Sequence, residues 1–235
     1  YLKVTGSSDW TILGTNTTSV DVTIDPTATL ELGNGGTTGL IASGQAIHNS
    51  GTLVVNHSDT VVLNQTIDGT GTFVQAGTGT TRLTTAQKYT GATSITGGTL
   101  ALAGDGSIAA SSGVHANSVF DLSATTNTAP SITALDGTGS IILGANTLNL
   151  TNDNSGFGNV FSGVASGTGG VAVGAGTEIL AGDNTYTGAT TVNQGATLQL
   201  GNGGTGGRIS SSSAIHNNGA LVVDHSDCLL YTSDA

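Results

Sequence analysis

The amino-acid sequence predicts an all-β fold, a parallel β-solenoid in which each turn contains about 20–23 residues. Three observations indicate it: blocks of sequence recur, short apolar strands return with a steady period, and no useful length of chain has the 3.6-residue pattern of a helix. Recurrence at a fixed period is typical of folds that stack equivalent units, so the repeats decide the architecture.

The longest repeat relates residues 28–59 to residues 196–227 without a gap. The offset is 168 residues, and 23 of the 32 compared positions are identical. A second block, Tyr-Thr-Gly-Ala-Thr followed by a glycine turn and Leu-x-Leu, occurs at 89–102 and 186–200. A weaker copy of the long repeat runs through 106–122. The chain is therefore assembled from modules.

Apolar residues that we expect to be vertical neighbours in successive turns recur every 20 to 23 positions. The expected neighbours are Leu30 and Leu53, Leu53 and Phe73, Phe73 and Ile95, Leu100 and Phe120, Phe120 and Ile141, Val171 and Val192, and Leu198 and Leu221. Within a strand, apolar and polar residues alternate, as in Leu198-Gln199-Leu200, so the leucines should face one interior. Gly-Asn and Asp-Gly corners between the strands supply the positive φ angles of sharp turns.

The remaining segments follow the same scheme less regularly. The stretch from Trp10 to Leu13 is an expected early strand, and Val20, Val22 and Ile24 alternate with polar residues as in a strand with one buried face. Residues 151–166 are expected to form a loop-like excursion or a distorted turn.

Composition favours a narrow core over a wide one. The chain has 38 glycines, 2 prolines, no methionine and only 4% aromatic residues, so it lacks large side chains to fill a broad interior. Its 36% hydrophobic and 8% charged residues argue against disorder. A two-sheet sandwich with strands every 8–12 residues is the competing all-β fold. We favour the solenoid because the repeat closes on itself every one or two turns.

The charge balance argues against nucleic acid and against insertion into or binding to a membrane. Fifteen acidic residues and four cations give a formal net charge of −11. The cations, Lys3, Arg82, Lys88 and Arg208, are scattered, whereas a phosphate backbone or an anionic lipid surface requires clustered ones. No apolar run approaches the ~18 residues of a membrane span. The acidity is therefore interpreted as solubility charge.

Residues 228–235 depart from the pattern abruptly. After His57-Ser58-Asp59 the first copy continues as a strand, but after residue 227 the second copy reads Cys-Leu-Leu-Tyr-Thr-Ser-Asp-Ala. Periodicity ends at one point, and the only cysteine, Cys228, lies just beyond it. We interpret 1–227 as one β-helix fragment and 228–235 as a non-native tail that resembles translated adapter sequence; a native terminal cap is the alternative.

The pattern Asn-x-Tyr-Thr-Gly-x-Thr-x-Val, followed by a glycine turn and Leu-x-Leu, resembles the passenger-associated repeat of bacterial autotransporters. Residues 184–200 carry it in full, and 89–102 carry it with Ile95 in place of the valine. The Gly-Thr-Gly corners at 69–71 and 167–169 also look like part of that repeat. The resemblance covers most of 28–227.

This resemblance implies a right-handed parallel β-helix that is secreted or displayed on the surface of a Gram-negative cell. It also implies a partner, the C-terminal β-barrel translocator of a full-length chain, which carries the passenger through the outer membrane. Passengers of this family are often stalks or adhesins, so a host or glycan surface is a possible partner. The resemblance provides no catalytic residue, metal ligand or cofactor to carry over.

Four histidines recur as pairs nine residues apart, at His48 and His57 and at His216 and His225. Zinc requires three or four ligands close together, and this spacing places the members of a pair on different sides or corners of one turn. We therefore expect corner residues that satisfy backbone groups, with a metal pair as the alternative.

The sequence offers residues for three other kinds of site. Asp-Gly-Thr-Gly at 68–71 and 136–139 and Gly-Asp-Gly at 104–106 suggest calcium, but a calcium β-roll needs a tandem run, so turn chemistry is favoured.

A polysaccharide-degrading enzyme needs converging carboxylates. The candidates for that role, all sparse, are Asp136, Asp153, Glu178 and Asp183. Ice-binding Thr-x-Thr arrays would be Thr27/Thr29, Thr78/Thr80 and Thr185/Thr187, but their spacing is not one per turn. The sequence therefore predicts a structural module without catalytic, metal or cofactor sites.

Overall fold

The computed structural model describes residues 2–7, 9–14, 21–41, 46–151 and 158–227, and these contain strands and turns without a helix. The strands, in chain order, are β1 Leu2–Val4, β2 Asp9–Ile12, β3 Val22–Ile24, β4 Thr29–Leu32, β5 Ile47–Asn49, β6 Thr52–Val55, β7 Thr60–Leu63, β8 Ile67–Asp68, β9 Thr72–Gln75, β10 Thr80–Leu83, β11 Thr93–Ile95, β12 Thr99–Gly104, β13 Val114–Ala116, β14 Val119–Thr125, β15 Ser131–Ile132, β16 Leu135–Asp136, β17 Ser140–Gly144, β18 Leu148–Leu150, β19 Val160–Phe161, β20 Val164–Gly167, β21 Val171–Val173, β22 Thr177–Leu180, β23 Thr190–Val192, β24 Thr197–Leu200, β25 Ile215–Asn217 and β26 Ala220–Val223. Val20, Asp153 and the segments 152–157 and 228–235 lie outside the described residues.

The strands stack in parallel as a solenoid of about ten turns, which confirms the predicted fold class. Successive coils lie ~4.8 Å apart, so the rod is on the order of 50 Å long. The right-handed sense of the coil stays a prediction.

Each coil contributes to three sides of the rod. The first side contains β1, β3, β5 and β8 and then β15, β18, β21, β23 and β25. The second contains β2, β4, β6, β9, β11, β13 and β16 and then β19, β22, β24 and β26. The third contains β7, β10, β12, β14, β17 and β20. The two parts of the first side are linked where Ala86 bridges Ser107 and where the Thr133 hydroxyl donates to Ser111 O at 2.7 Å. A bridge between Gly137 and Phe161 links the two parts of the second side.

The core is a column of inward-facing aliphatic residues. Leu30, Leu53 and Phe73 lie one above another on the second side and are fully buried. Leu100, Phe120 and Ile141 form the same kind of stack on the third side. Both stacks, and the pairing of Leu198 with Leu221, have the predicted register.

Two of the predicted vertical neighbours are wrong by two residues. Phe73 pairs with Thr93, and Val171 pairs with Thr190. Each threonine is fully buried and occupies the first inward position of its strand. Ile95 and Val192 therefore occupy the second inward position of their strands. The reason is a hydrogen bond between each threonine and a buried tyrosine, described below.

Residues 151–166, expected to form a loop-like excursion or a distorted turn, are described only in part, and for 152–157 the expectation stays a prediction. Phe161 is fully buried in β19, and β20 follows at Val164–Gly167, so strands resume immediately after the part of this segment that lies outside the described residues. The early strand expected from Trp10 to Leu13 is confirmed as β2.

The 168-residue offset of the long repeat equals eight steps along the second side, from β4 through β6, β9, β11, β13, β16, β19 and β22 to β24. A whole number of turns returns the second copy to the same side of the rod. The shorter repeat is not offset by whole turns. Its Leu-x-Leu strand is β12 on the third side in the first copy and β24 on the second side in the second copy.

Truncation of one stacked side chain should destabilise the whole rod. Leu100→Ala removes a fully buried side chain that packs below Phe120, and it should lower the free energy of unfolding by about 2–5 kcal/mol. Val62→Ala changes a side chain that is 55% exposed on the same side and should change it by about 0.5 kcal/mol or less. Equilibrium denaturation in urea measures both, and equal effects of the two substitutions would contradict the inward column.

Candidate functional site

The repeated Tyr-Thr-Gly-Ala-Thr block forms the same corner in both copies. We name these corners the Tyr corners: residues 87–93 connect β10 to β11, and residues 184–190 connect β22 to β23. Each has a buried tyrosine, a buried threonine four residues later, and an amide side chain two residues earlier. The tyrosine and threonine bind each other within the corner, and the threonine and the amide also bind neighbouring coils.

A buried hydroxyl relay runs through the first Tyr corner. The hydroxyls of Tyr89 and Thr93 are 2.6 Å apart, and Thr93 Oγ1 is 3.0 Å from Ser111 Oγ. Ser111 belongs to the next coil, and its hydroxyl lies 2.9 Å from Gly91 O, to which it donates. Two successive coils are therefore joined through one set of hydrogen-bonded hydroxyls.

The second Tyr corner repeats this relay atom for atom. The hydroxyls of Tyr186 and Thr190 are 2.7 Å apart, Thr190 Oγ1 is 3.1 Å from Ser213 Oγ, and Ser213 donates to Gly188 O at 2.6 Å. Burial raises the pKa of Tyr186 to about 12 despite the lowering effect of the Thr190 hydrogen bond, and it raises the pKa of Tyr89 in the same way. Both relays therefore stay uncharged at neutral pH.

The amide two residues before each tyrosine braces the coil beneath. Gln87 Oε1 accepts a hydrogen bond from Ile67 N at 2.7 Å, and Asn184 Oδ1 accepts one from Ala165 N at 2.8 Å. The same side chains donate to a carbonyl of their own turn, Thr85 O for Gln87 and Gly182 O for Asn184. A buried backbone N–H is satisfied in each case, which explains why the motif requires an amide there.

The glycines of the motif stack on glycines one coil below. A Cβ at Gly91 would overlap Gly71 O, and a Cβ at Gly188 would overlap the backbone of Gly169. Gly71 and Gly169 are the last residues of the two Gly-Thr-Gly corners. The glycine of each Tyr-Thr-Gly therefore packs on the last glycine of a Gly-Thr-Gly corner in the coil below, so that backbone lies directly on backbone.

The Gly-Asn-Gly-Gly loops of the long repeat form a second recurring structure. Gly35 N donates to Asn56 O at 2.8 Å, and Gly203 N donates to Asp224 O at 3.0 Å. Both glycines have positive φ, 89° and 75°. A Cβ at Gly33 would lie 2.7 Å from the ring of His57, so each loop folds tightly over the histidine of the next coil.

The histidines do not converge on a metal. His48 Nδ1 is 2.8 Å from Asp68 Oδ1, and His57 Nδ1 is 3.1 Å from Asp59 Oδ1. Buried His57 also places Nε2 3.3 Å from Gly39 O, which confirms the expected backbone contact for this residue. His225 lies 3.4 Å from Asp227, and His216 lies on β25 beside Thr191. Among the described residues no three His, Cys, Asp or Glu side chains are grouped as metal ligands.

The aspartates of the Asp-Gly-Thr-Gly and Gly-Asp-Gly turns are hydrogen-bonded to side chains of neighbouring coils. Asp68 accepts from His48, Asp136 from His115 at 2.6 Å, and Asp105 from the Thr126 hydroxyl at 3.0 Å. The adjoining Gly69, Gly137 and Gly104 have φ of 97°, 118° and 56°. The geometry is that of turns in which aspartate binds the neighbouring coil.

Of the four sparse carboxylates, the structure brings two near each other. Asp136 lines an open groove of about 360 Å³, together with polar neighbours from three coils. The lining residues are His115, Asn117, Asp136, Gly137, Thr138, Gly158, Asn159, Val160 and Ser162. Glu178 lies in the core beneath and is fully buried, and within the described part of the chain neither of its carboxylate oxygens has a hydrogen-bond partner. Asp183 is exposed and binds Arg208, so it does not contribute to this groove.

Glu178 is a charged residue type in an aliphatic column. It pairs in register with Leu198, where the strand pattern calls for a leucine. Burial, and secondarily the charge of Asp136, raises the pKa of Glu178 well above its ordinary value of 4.5. Because Glu178 is not among the groove-lining residues, the two carboxylates do not face a common substrate position.

Single threonines stack between coils, but the Thr-x-Thr pairs do not recur once per turn, as the sequence predicts. Thr29, Thr52 and Thr72 lie one above another, and so do Thr60, Thr80 and Thr99, with one threonine per coil. The outward column beside the second ladder contains Val62, Arg82 and Ala101, so a flat array two threonines wide does not form there.

The family described as Passenger-associated-transport-repeat matches residues 73–102 and 171–200. Each match begins at a strand, passes through a Tyr corner and ends with the Leu-x-Leu strand. No curated protein and no solved structure matches the chain. Among the described residues no helix is long and apolar enough to cross a membrane.

The fold and the Tyr corners thus define a repeat-built parallel β-solenoid. In particular, two segments of the chain, 73–102 and 171–200, match the passenger-associated transport repeat, which confirms the predicted resemblance for these segments.

The relay should contribute to stability as a unit. Tyr186→Phe keeps the buried ring and removes the hydroxyl, and it should lower the free energy of unfolding by about 1 kcal/mol. In a double-mutant cycle with Thr190→Val, the coupling energy should be about 0.5 kcal/mol or more because the two hydroxyls bind each other. Urea denaturation of the four proteins gives this coupling, and strictly additive effects would contradict the relay.

Glu178 should make stability fall as the pH rises. Its pKa is raised in the folded state, so above about pH 4.5 the unfolded chain loses this proton before the folded chain does. The contribution of Glu178 is therefore most favourable below pH 4.5 and declines until the pH passes the raised pKa. Glu178→Gln and Glu178→Leu should both flatten this decline, measured by thermal or urea unfolding between pH 4 and 8. An unchanged pH dependence in both variants would contradict the buried carboxyl.

Proposed function

We propose that this chain is a stalk segment of an autotransporter passenger that also assists its own export. The observation that carries the proposal is the pair of transport repeats built into a continuous solenoid. In this proposal a C-terminal β-barrel translocator of the full-length protein guides the chain across the outer membrane of a Gram-negative bacterium. The passenger is then displayed on the cell surface or released.

The coil-on-coil geometry supports a mechanical role. Each emerging coil can bind the edge of the coil before it and bury its inward leucines, at about 1.5–3 kcal/mol for each fully buried side chain. Folding can therefore proceed in one direction on the outer side of the outer membrane and oppose movement of the chain back across it. The Tyr corners and Gly-on-Gly contacts fix the register of each addition, which suits an array that folds coil by coil.

We propose no catalytic activity for this segment. Asp136 and Glu178, two of the candidate carboxylates, interact electrostatically, but one lines a groove and the other lies in the core. A general acid and its partner must both reach the scissile bond, and this arrangement does not provide that.

An adhesin face on the same rod is the second candidate, favoured by one observation. The groove beside Asp136 is lined by side chains that bind hydroxyl groups well, including His115, Asn117, Thr138 and Ser162. An array of glycans separates the two functions. Saturable binding that is lost in Asn117→Ala would favour the adhesin, and no binding favours the stalk.

Export should depend on the inward leucines. The chain is fused to a β-barrel translocator and produced in a Gram-negative host, and a surface epitope is measured on intact cells against the total amount of protein. Replacing Leu198 and Leu200 by Asp places two charges in the core and should reduce display at least about 10-fold. Replacing the exposed Asn193 and Gln194 by Asp adds the same charge to the same coil outside the Tyr corner and should leave display unchanged. Normal display of the leucine variant would refute the proposed export role.

A further inference from the structure

The third side of the rod is a continuous parallel sheet whose outer face carries almost no charge. Its first five strands are β7, β10, β12, β14 and β17, and residues 60–144, which contain them, are described without a gap. Each strand contributes to two outward columns. One column is Thr60, Thr80, Thr99, Val119 and Ser140, and the other is Val62, Arg82, Ala101, Asp121 and Ile142. This face therefore has one positive and one negative side chain, on a chain whose formal net charge is −11.

The column that contains the two charges is symmetrical about Ala101. One coil away on either side lie Arg82 and Asp121, which have opposite charges. Two coils away on either side lie Val62 and Ile142, both exposed apolar side chains. Reversing the order of the coils thus exchanges a positive charge for a negative one and one apolar side chain for another. A column of this kind is complementary to an inverted copy of itself.

The two charges are not paired with each other or with another charged group in their own chain. Arg82 forms no ion pair with a described residue, unlike Lys3, which binds Asp25. One strand separates Arg82 from Asp121, so their backbones lie about 10 Å apart. Asp121 Oδ1 accepts a hydrogen bond from Ser123 N at 2.8 Å, and no described cation binds this carboxylate. Both groups are therefore available to charges of a partner.

We propose that two molecules of this chain pair face to face through the third side. A twofold axis parallel to the strands and level with Ala101 relates them, so the two rods run in opposite directions. Arg82 of each molecule lies opposite Asp121 of the other, and Val62 lies opposite Ile142. The contact is isologous, so it closes as a dimer. Sheets that pack face to face lie about 10 Å apart, and the outward side chains fill that space.

This contact is small, so the dimer is weak. The five strands span about 19 Å along the rod and about 13 Å across it, well below the ~800 Å² that each partner contributes to a standard interface. Two acidic rods nevertheless approach each other best on this side, because its outward charges cancel within each molecule. The opposed Arg82 and Asp121 select the inverted arrangement over others, since any other pairing of these rows leaves like charges or unpaired charges in the contact.

Sedimentation equilibrium of the full chain over a wide range of concentrations tests the pairing. A reductant keeps the only cysteine, Cys228, from forming disulfides. Monomers should give way to dimers at high concentration and to no larger species. A monomer at every concentration would overturn the proposal, and so would a series of larger species, because an isologous contact cannot continue beyond two molecules.

Charge reversal tests the opposed residues. Arg82→Asp and Asp121→Arg each place like charges opposite each other twice in the contact, and each should raise the dissociation constant at least about 10-fold. The protein with both substitutions exchanges the two charges and should dimerise like the unsubstituted chain. An equimolar mixture of the two single variants should also dimerise. Circular dichroism and melting temperature verify that every variant is folded.

A matched control separates this effect from the change in net charge. Replacing the exposed Asn193 and Gln194 by Asp makes the chain more negative by the same amount as Arg82→Asp, in a turn away from the third side. This control should leave the dissociation constant unchanged. Equal association of the control and of Arg82→Asp, or failure of the exchanged protein to dimerise, would overturn the assigned contact.

Disulfide formation tests the twofold axis. Thr80 and Thr99 are half-buried neighbours in the same outward column. In the dimer Thr99 lies beside the axis and faces Thr99 of the other molecule, whereas the two Thr80 residues are about 10 Å apart along the rods. With Cys228→Ser as background, Thr99→Cys should form a linked dimer at least about 10-fold faster than Thr80→Cys under mild oxidation, because only the former brings its Cβ atoms within disulfide reach. Equal rates would overturn the inverted arrangement.

Discussion

The rest of the structure depends on parallel stacking of each coil on the coil below it. Backbone groups of one coil are satisfied by the next, and every inward side chain lies above another about 20 residues earlier in the chain. A slip of one residue would turn the inward set outward. Each coil is therefore constrained by its two neighbours in space, and the buried Leu30, Leu53 and Phe73 show the result.

This constraint also explains the glycines. Where a strand turns toward the next side, adjacent coils come close enough that backbone lies on backbone. At Gly91 over Gly71 and Gly188 over Gly169 a Cβ has no space. The abundance of glycine is thus a consequence of close stacking at corners and not of a flexible chain.

The short repeat lies on different sides of the rod in its two copies, whereas the two full copies of the long repeat lie on the same sides. The Leu-x-Leu strand that follows a Tyr corner lies on the third side in one copy and on the second in the other, with the same hydroxyl relay in both. The long repeat keeps its side because 168 residues span eight turns. The narrow core has similar dimensions on each side of the rod. A repeat can therefore occupy any side if its inward side chains fit those of the coils above and below it. Glu178 places a buried carboxyl in this column, in register with Leu198, and among the described residues neither of its oxygens has a hydrogen-bond partner.

Local and periodic features of the sequence determined the fold class, the length of a turn, the inward leucines and the position of the corners. These features are readable because alternation, Gly-Asn turns and repeated blocks act within a few residues or at a fixed period. Tertiary structure alone decided the contacts between coils. Ser111 and Ser213 complete the relays from 18 and 23 residues away, and no local pattern marks them beyond a serine shortly before Val-His or Ile-His. The same holds for His48 with Asp68, for the inward place of Thr93, and for the burial of Glu178. Such partners depend on how many residues each turn contains, and turn length varies along the rod, so their register is set only when the coils stack.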